Sequence, residues 1–221
     1  MRDASMIVML CLVLLALSAC NNASRSPKYA PDGPLSQQVN NYEDSEHDFE
    51  TTVNDLRQKY RLRVGLDLET QPDRRPLSVK VLGGNVADVL NAIVAQEPGF
   101  TWAEINGVVN IGPRRQRNSL LNVRVAQFHI TDASFDQTDR AIVSLPEVKD
   151  WLQDNHLTES GSFVVIGGIS PGQPFKPLVS LDLQGITFRE ILNRIVQSRG
   201  YSSWIVSRCR EKNQYIVIST D

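Results

Sequence analysis

Few residues in this sequence have the types and spacings that carry out chemistry. None of the three histidines, His47, His129 and His156, has a second histidine or a cysteine at the helical spacing of a metal site. The stretch EDSEHD, residues 43 to 48, surrounds His47 with acids, and such a pattern is typical of a capped, solvated helix start. We therefore expect no metal site.

The sequence also gives little indication of an enzyme. No H-E-x-x-H motif is present, and the glycine-rich stretch GGISPGQP, residues 167 to 174, lacks the Gly-Lys-[Ser/Thr] of a phosphate-binding loop. The sequence therefore predicts a protein that is not an enzyme and uses no cofactor. The enzyme alternative requires a titratable cluster assembled from residues that are distant along the chain.

The cysteines limit the redox chemistry. Cys11 lies inside an apolar run, Cys20 closes that run, and Cys209 is the remaining cysteine. Without Cys11 and Cys20, Cys209 has no partner for a disulfide, and zinc sites built on two or more cysteines are excluded by count. Flanking Arg208 and Arg210 would favour a thiolate, so redox sensing is an alternative to a plain unpaired cysteine at a hairpin end.

The N-terminus has the pattern of an export signal. Arg2 precedes an apolar run, residues 6 to 17, which is shorter than the ~20 residues of a spanning helix. The run ends in a segment that resembles the bacterial lipobox, in which the cysteine is acylated: Leu17, Ser18, Ala19 and Cys20. The resemblance implies a signal peptide over 1–19 and a lipid anchor, such as palmitate, on Cys20. An ordinary signal peptide with a chance cysteine is the alternative.

The lipid anchor on Cys20 and the residues after it indicate where in the cell the protein lies. Several acyl chains on one N-terminus give stable membrane anchoring, because each buried CH₂ contributes about 0.8 kcal/mol. Asn21, where an aspartate would favour the inner membrane in enterobacterial-type lipoproteins, indicates the outer membrane. Residues 20–38 are polar and rich in proline, asparagine and serine, so they are predicted to form a flexible tether. We expect a membrane-anchored lipoprotein that faces the periplasm.

Composition narrows the classes of partner. The 221 residues suffice for one large domain or two small ones. The formal net charge of -2 excludes neither a protein partner nor a small ligand, but it argues against nucleic acid and against a polybasic membrane patch.

A six-residue phrase occurs twice, as VLNAIV (89–94) and ILNRIV (191–196). Around each phrase, apolar residues recur at the spacing of one face of an amphipathic helix: Val86, Val89, Leu90, Ile93 and Val94, then Phe188, Ile191, Leu192, Ile195 and Val196. An alternating strand precedes each helix, LSVKV (77–81) and VSLDL (179–183), and a hairpin follows each. The turn of the first hairpin is Asn106-Gly107. Trp102 and Trp204 align and are predicted to be core or half-buried sheet residues.

A weaker internal sequence similarity lies upstream of each repeated phrase. Tyr42 aligns with Phe128 and Phe49 with Phe135, and a helical segment and a strand follow in both places, the strands being LRVGLD (62–67) and SFVVIGG (162–168). The sequence therefore predicts an α+β protein with two tandem copies of a β-α-β-β-α-β-β unit, over 39–112 and 120–221. The basic stretch PRRQRNS, residues 113–119, is predicted to be a solvated linker between them.

The second unit resembles the short N-terminal domain shared by secretins and TonB-dependent receptors. The positions that carry the resemblance are Leu181, Leu183, Gly185, Thr187, Glu190, Leu192, Gly200, Tyr201, Ile216, Val217 and Ile218. The first unit fits less fully, through Val79, Val81, Gly84, Leu90, Gly99, Phe100, Val109 and Ile111. The resemblance implies a periplasmic protein-interaction module. No barrel, plug or channel domain follows within the sequence, so we expect a free-standing pair of such domains.

These observations lead to one expected function and one alternative. The expected function is an adaptor or assembly factor for an envelope complex, of a secretin-like or TonB-linked system, with the partner unidentified. Its binding surface is predicted at an exposed sheet edge, or on the outer helix faces that carry Asn91, Arg189, Asn193 and Arg194. The alternative is a periplasmic lipoprotein that binds a ligand or peptidoglycan, which a pocket between the two domains would favour.

Overall fold

The fold is mixed α+β. The computed structural model describes residues 32–70, 72, 75–115, 118–159, 178–200, 203–209 and 215–220. These residues form five α-helices and ten β-strands, which confirms the predicted α+β class. The predicted signal peptide, Cys20 and the stretch 167–174 lie outside the described residues.

In the part of the first half that the structure describes, there are five strands and two helices. In chain order these are β1 (Asn41–Asp44), α1 (Phe49–Tyr60), β2 (Val64–Leu68), β3 (Val79–Leu82), α2 (Val86–Gln96), β4 (Phe100–Ile105) and β5 (Val108–Pro113). Helix α2 begins at a capping box, in which Asn85 and Asp88 each bond the backbone N–H of the other. Asn106 and Gly107 both have positive φ, 53° and 74°, as the two-residue turn between β4 and β5 requires.

Within its described residues, the second half contains five strands and three helices. They are β6 (Arg124–Ala133), α3 (Phe135–Val143), α4 (Pro146–Asp154), β7 (Thr158–Glu159), β8 (Val179–Thr187), α5 (Phe188–Ser198), β9 (Ser203–Cys209) and β10 (Tyr215–Thr220). Pro146 lies in the first turn of α4, where its missing N–H has no helical partner in any case. Thr187 and Glu190 form a capping box at the start of α5.

The strands form three sheets. β1 pairs with β3 and β6 pairs with β8, both antiparallel. The remaining strands form one six-stranded sheet in the order β4-β5-β2-β9-β10-β7. The pairs β4–β5 and β9–β10 are antiparallel, whereas β5–β2, β2–β9 and β10–β7 are parallel. The strand pair β2–β9 therefore joins the two halves of the chain through backbone hydrogen bonds.

Two hydrophobic cores lie on opposite faces of this sheet. Helices α1 and α2 pack in the first core with alternate residues of β2 and β5, Val64, Leu66, Val109 and Ile111 among them. Helix α5 packs in the second core with Trp204 and Val206 of β9, while the intervening Ile205 contacts the first core. Because side chains alternate between the two faces of a strand, α2 and α5 cover opposite faces of the six-stranded sheet.

The predicted tether is wrong over its last residues. A short 3-10 helix spans Pro34–Ser36, and Leu35 is buried in the first core. Backbone bonds join Val39 to Gly84 and Val86 to Gln37, so this segment is fixed against the start of α2. Leu35 is apolar, and its burial outweighs the polar composition around it.

Other segments also differ from the sequence-based expectation. The predicted strand 162–168 lies outside the described residues, and the strand that pairs with β10 is β7, at 158–159. The predicted linker is anchored at both ends. Pro113 belongs to β5, and the side chain of Ser119 is buried.

We predict that Gly65→Ala weakens the junction of β2 with β9. A Cβ at Gly65 would lie 2.1 Å from Cε2 and Cζ2 of Trp204, which no small adjustment relieves. We expect a loss of about 2–3 kcal/mol in the free energy of unfolding, measured by urea titration. Gly99→Ala is the matched control, since a Cβ there meets no atom within 4 Å. Equal effects of the two substitutions would contradict the prediction.

Candidate functional site

The junction between the two halves is built around Trp204. Its indole crosses from β9 to β2 and occupies the space above Gly65, its partner in the β2–β9 register. The indole Nε1–H donates to Oδ1 of Asn193 on α5, at 2.7 Å. Trp204 is 0% exposed and Asn193 is 1% exposed. The pair therefore fixes the helix, β9 and β2 relative to one another.

A buried ion pair lies next to this tryptophan. Asp67 of β2 is fully buried, and its Oδ2 lies 3.6 Å from Nη2 of Arg189 on α5. The guanidinium of Arg189 also lies 5.9 Å from the centroid of the Trp204 ring. Burial lowers the pKa of Arg189, and the charge of Asp67 opposes this shift. A buried carboxylate without its cation would be strongly destabilising, so the pair helps to specify how the halves dock.

Glu69, just after β2, continues the junction. Its Oε1 accepts hydrogen bonds from Oγ of Ser119 at 2.7 Å and from the N–H of Leu120 at 3.1 Å. Burial raises the pKa of Glu69 to about 7, and nearby Asp67 adds to the shift, while the two hydrogen bonds and the charge of Arg208 oppose it. The carboxylate thus ties the end of β2 to the start of the second half.

Two further bonds cross the junction at its edges. Nε of Arg63 donates to the carbonyl oxygen of Gly200, and Nε2 of Gln197 donates to the carbonyl oxygen of Asn106. Gln197 lies on α5, and Asn106 lies in the turn between β4 and β5. Helix α5 therefore extends beyond its own strands and over part of the first half.

The outer edge of β4 is at the end of the six-stranded sheet. Trp102 of β4 is buried, and its indole Nε1–H donates to Oδ1 of Asn91 on α2 at 3.0 Å. On the opposite sheet face, the side chains of Thr101 and Ala103 are exposed. Asn91 and Ala95 are exposed on α2. We call β4 together with Asn91 and Ala95 the β4 edge surface, and no described strand pairs with the outer side of β4.

The four residues predicted for partner binding lie in different environments. Asn193 is a wrong prediction, because its side chain is buried against Trp204 rather than exposed on a helix face. Arg189 has 22% of its side chain exposed and pairs with Asp67 inside the junction. Arg194 is exposed and donates to Oε1 of Gln197 at 3.3 Å. Asn91 is exposed and lies on the β4 edge surface.

A second polar site is the cleft at the start of α1. It has a volume of about 320 Å³ and is lined by Tyr42, Glu43, Asp44, Ser45, Glu46, His47, Asp55 and Lys59. Asp44, His47 and Asp55 offer nitrogen and oxygen ligand atoms that all lie within 4.8 Å of one another. A divalent cation such as Zn²⁺ accepts these ligand types.

Hydrogen bonds already account for the position of Asp44. Its oxygens accept from Oγ1 of Thr52 and from the N–H groups of Glu46 and His47, and Nδ1 of His47 lies 3.2 Å away. Partial burial favours the protonated carboxyl, but these bonds together lower the pKa of Asp44. Asp48 caps α1 by accepting from the N–H of Thr51 at 2.9 Å. The predicted capped helix start is therefore confirmed.

Sequence reasoning missed the junction because its members are far apart along the chain. Ser119 was assigned to a solvated linker, and Asp67 and Glu69 have no pattern that marks them as buried. Gly65 offers one signal, since a glycine inside a strand often marks a close approach of another group. A separate signal is the G-x-S-x-G spacing from Gly168 to Gly172, which is the pattern of a hydrolase nucleophile elbow. These residues lie outside the described part of the chain.

Comparison with known proteins assigns no family. No protein-family model matches the sequence, and no curated protein or solved structure is significantly similar to it. Among the described residues, no helix has the length and apolar character needed to cross a membrane.

We predict that Glu69→Gln changes how stability depends on pH. The folded-state pKa of Glu69, about 7, lies above its ordinary value of 4.5, so the folded protein binds this proton more tightly than the unfolded chain. The contribution of Glu69 to wild-type stability should therefore fall as the pH rises from 4.5 to about 7, and the glutamine variant should not show this loss.

The measurement is urea unfolding of both proteins across this range. The variant's Oε1 can still accept both hydrogen bonds, so its relative stability should rise by up to about 3 kcal/mol between the two ends of the range. A difference between the two proteins that stays constant with pH would contradict the assignment.

We also predict that the two asparagine–tryptophan bonds differ in strength. Asn193→Ala leaves a fully buried indole N–H without its acceptor, so we expect a loss of about 1–3 kcal/mol in unfolding free energy. Asn91→Ala should have a smaller effect, because Asn91 is exposed and water can replace its oxygen. Thermal and urea unfolding of both variants test this order, and an equal or reversed order would refute it.

Proposed function

We propose that this chain is a membrane-anchored periplasmic adaptor, built from two copies of one small α+β unit, which binds its protein partner at the β4 edge surface. Acylation of Cys20 would hold it on the outer membrane, and the chain would help to assemble or link an envelope complex. The resemblance of its units to the short N-terminal domain of secretins and TonB-dependent receptors supports this class of function.

The strand pairings support the duplication. In the first half, β1 pairs antiparallel with β3, and β5 lies between antiparallel β4 and parallel β2. In the second half, β6 pairs antiparallel with β8, and β10 lies between antiparallel β9 and parallel β7. The bonds Trp102–Asn91 and Trp204–Asn193 occupy matching places, each with the asparagine as the sixth residue of its helix.

The observation that carries the proposed binding mode is the pairing of β2 with β9. In the proposed duplication β9 corresponds to β4, so this type of edge accepts an added strand within the chain itself. The corresponding edge of β4 has no described strand beside it. Addition of a partner's strand to a sheet edge is a common mode of protein recognition, in which backbone hydrogen bonds provide affinity and side chains provide specificity.

The cleft at the start of α1 supports a second candidate, a ligand-binding lipoprotein. Its lining combines carboxylates with Lys59, whose Nζ lies 5.5 Å from the centroid of the Tyr42 ring, so it presents both charges and an aromatic face. Calorimetric titration with soluble peptidoglycan fragments tests this candidate. Binding that Lys59→Ala abolishes would favour it over the adaptor.

We predict that a photo-crosslinker placed at Thr101 in intact cells captures a protein of defined mass. Ala103→Lys should abolish this adduct, because a charged side chain at a sheet edge opposes the addition of a strand. Ala126→Lys is the matched control, since Ala126 is also exposed on a strand but lies on β6. Cys20→Ala should release the chain from the membrane fraction and strongly reduce the adduct.

Either of two results would count against the adaptor. One is the absence of any discrete adduct at Thr101 while the protein is folded and membrane-bound. The other is an adduct that survives Ala103→Lys unchanged, because such a contact would not depend on the edge of β4.

A further inference from the structure

The cleft at the start of α1 brings together metal-binding side chains that lie on three different segments. Asp44 is the last residue of β1, His47 lies in the connection that follows, and Asp55 lies on α1. Because these positions do not share the spacing of one helix, the sequence shows no metal-binding motif there. Only the packing of β1 beside the start of α1 places the three ligand groups within 4.8 Å of one another.

The distances between these groups fit the coordination of a small divalent cation. Nδ1 of His47 lies 3.2 Å from Oδ1 of Asp44 and 3.6 Å from Oδ2 of Asp55. Zinc bonds to imidazole nitrogen and carboxylate oxygen are about 2.0–2.2 Å long, so neighbouring ligand atoms of a tetrahedral zinc lie about 3.3 Å apart. The side chains of His47 and Asp55 are 47% and 48% exposed, so small rotations can complete the coordination.

Asp44 is the fixed member of the group. Its side chain is 8% exposed and accepts hydrogen bonds from Oγ1 of Thr52 and from the N–H of Glu46. A protonated His47 would supply one positive charge against the two carboxylates of Asp44 and Asp55, whereas a divalent cation supplies two. The cation therefore balances the charge of the group more fully than the histidine does.

The hydroxyl of Tyr42 is an independent sign of a ligand in this cleft. Tyr42 lines the cleft and is 6% exposed. Its ring lies 5.5 Å from Nζ of Lys59, but no group in the described part of the chain forms a hydrogen bond with its hydroxyl. Burial raises the pKa of Tyr42, and the charges of Asp44 and Asp55 raise it further, so the hydroxyl lies within electrostatic reach of both carboxylates. Buried polar groups normally have a partner, and a water molecule on a bound ion would supply one.

We propose that Asp44, His47 and Asp55 bind one divalent transition-metal ion in the cleft at the start of α1, with Zn²⁺ as the best match. An imidazole ligand favours zinc over Mg²⁺ and Ca²⁺, which prefer oxygen ligands. Three protein ligands leave a fourth position open to the cleft of about 320 Å³. The metal site goes beyond the proposed adaptor function, since the cleft and the β4 edge surface have no residue in common.

The test is calorimetric titration of the full chain with zinc chloride, after purification without a histidine tag and treatment with a chelator. Wild type should bind one zinc ion per chain, and His47→Gln and Asp55→Asn should each abolish saturable binding. His129→Gln is the matched control. Nδ1 of the exposed His129 lies 3.7 Å from Oδ1 of Asp182, but within the described ranges His129 belongs to no such group of three ligands. Circular dichroism and unfolding midpoints of the metal-free variants should match wild type.

Two further measurements test the identity of the ligands. Tyr42→Phe retains the ring and removes only the hydroxyl, so it should weaken zinc binding about tenfold. Excess Mg²⁺ should not displace zinc, and displacement by equimolar Mg²⁺ would refute His47 as a ligand.

A wild type that binds no zinc, or binding that survives in both His47→Gln and Asp55→Asn, would overturn the site. An equal loss in His129→Gln would also overturn it, because the binding would then not depend on this group. Ala103→Lys, which changes only the β4 edge surface, should bind zinc as wild type does. Failure of the adaptor and failure of the metal site are therefore distinguishable.

Discussion

The parallel pairing of β2 with β9 is the contact on which the arrangement of the whole chain depends. It makes β2 a central strand with a neighbour on each side, and all five of its residues are buried. A strand buried on both faces cannot follow the simple alternation of a half-exposed strand. Gly65 has no side chain where the Trp204 indole lies, and Asp67 places a carboxylate against the guanidinium of Arg189.

The polar groups at this junction favour specificity over maximal stability. Burying Asp67 and Glu69 has a desolvation cost, and an apolar junction of similar shape would avoid it. In return, each group has a partner that only the correct docking supplies. Arg189 comes from α5 for Asp67, and Ser119 comes from the connecting segment for Glu69. A shifted register of β2 on β9 would separate these pairs, so the charges oppose alternative alignments.

This arrangement bears on the adaptor hypothesis. The two cores lie on opposite faces of one sheet, so the β4 edge surface is held in a defined orientation to both halves of the chain. On the proposed function, a strand that a partner adds to β4 would extend a sheet that both halves of the chain stabilise.

The local elements followed from the sequence because their causes are local. The apolar spacing from Val86 to Val94 and the capping groups beside it determine α2, and Asn106-Gly107 determines the β4–β5 turn. The predicted tether failed at Leu35, because one apolar side chain in a polar segment gives no periodic signal. The site predictions failed at Asn193 because a helix pattern does not tell which polar residue faces a neighbouring strand.

The sequence by itself determined the two amphipathic helices, the hairpins, the buried tryptophans and the expectation of export and anchoring, since each rests on residues within about twenty positions of one another. Only the tertiary structure decided that β2 lies between β5 and β9, that α2 and α5 cover opposite faces, and that Asp67, Glu69, Ser119 and Arg189 meet. Among these contacts, the bonds of Glu69 to Ser119 and to Leu120 join residues 50 and 51 positions apart. Their formation depends on the geometry of two assembled units, which no short-range pattern of residue types records.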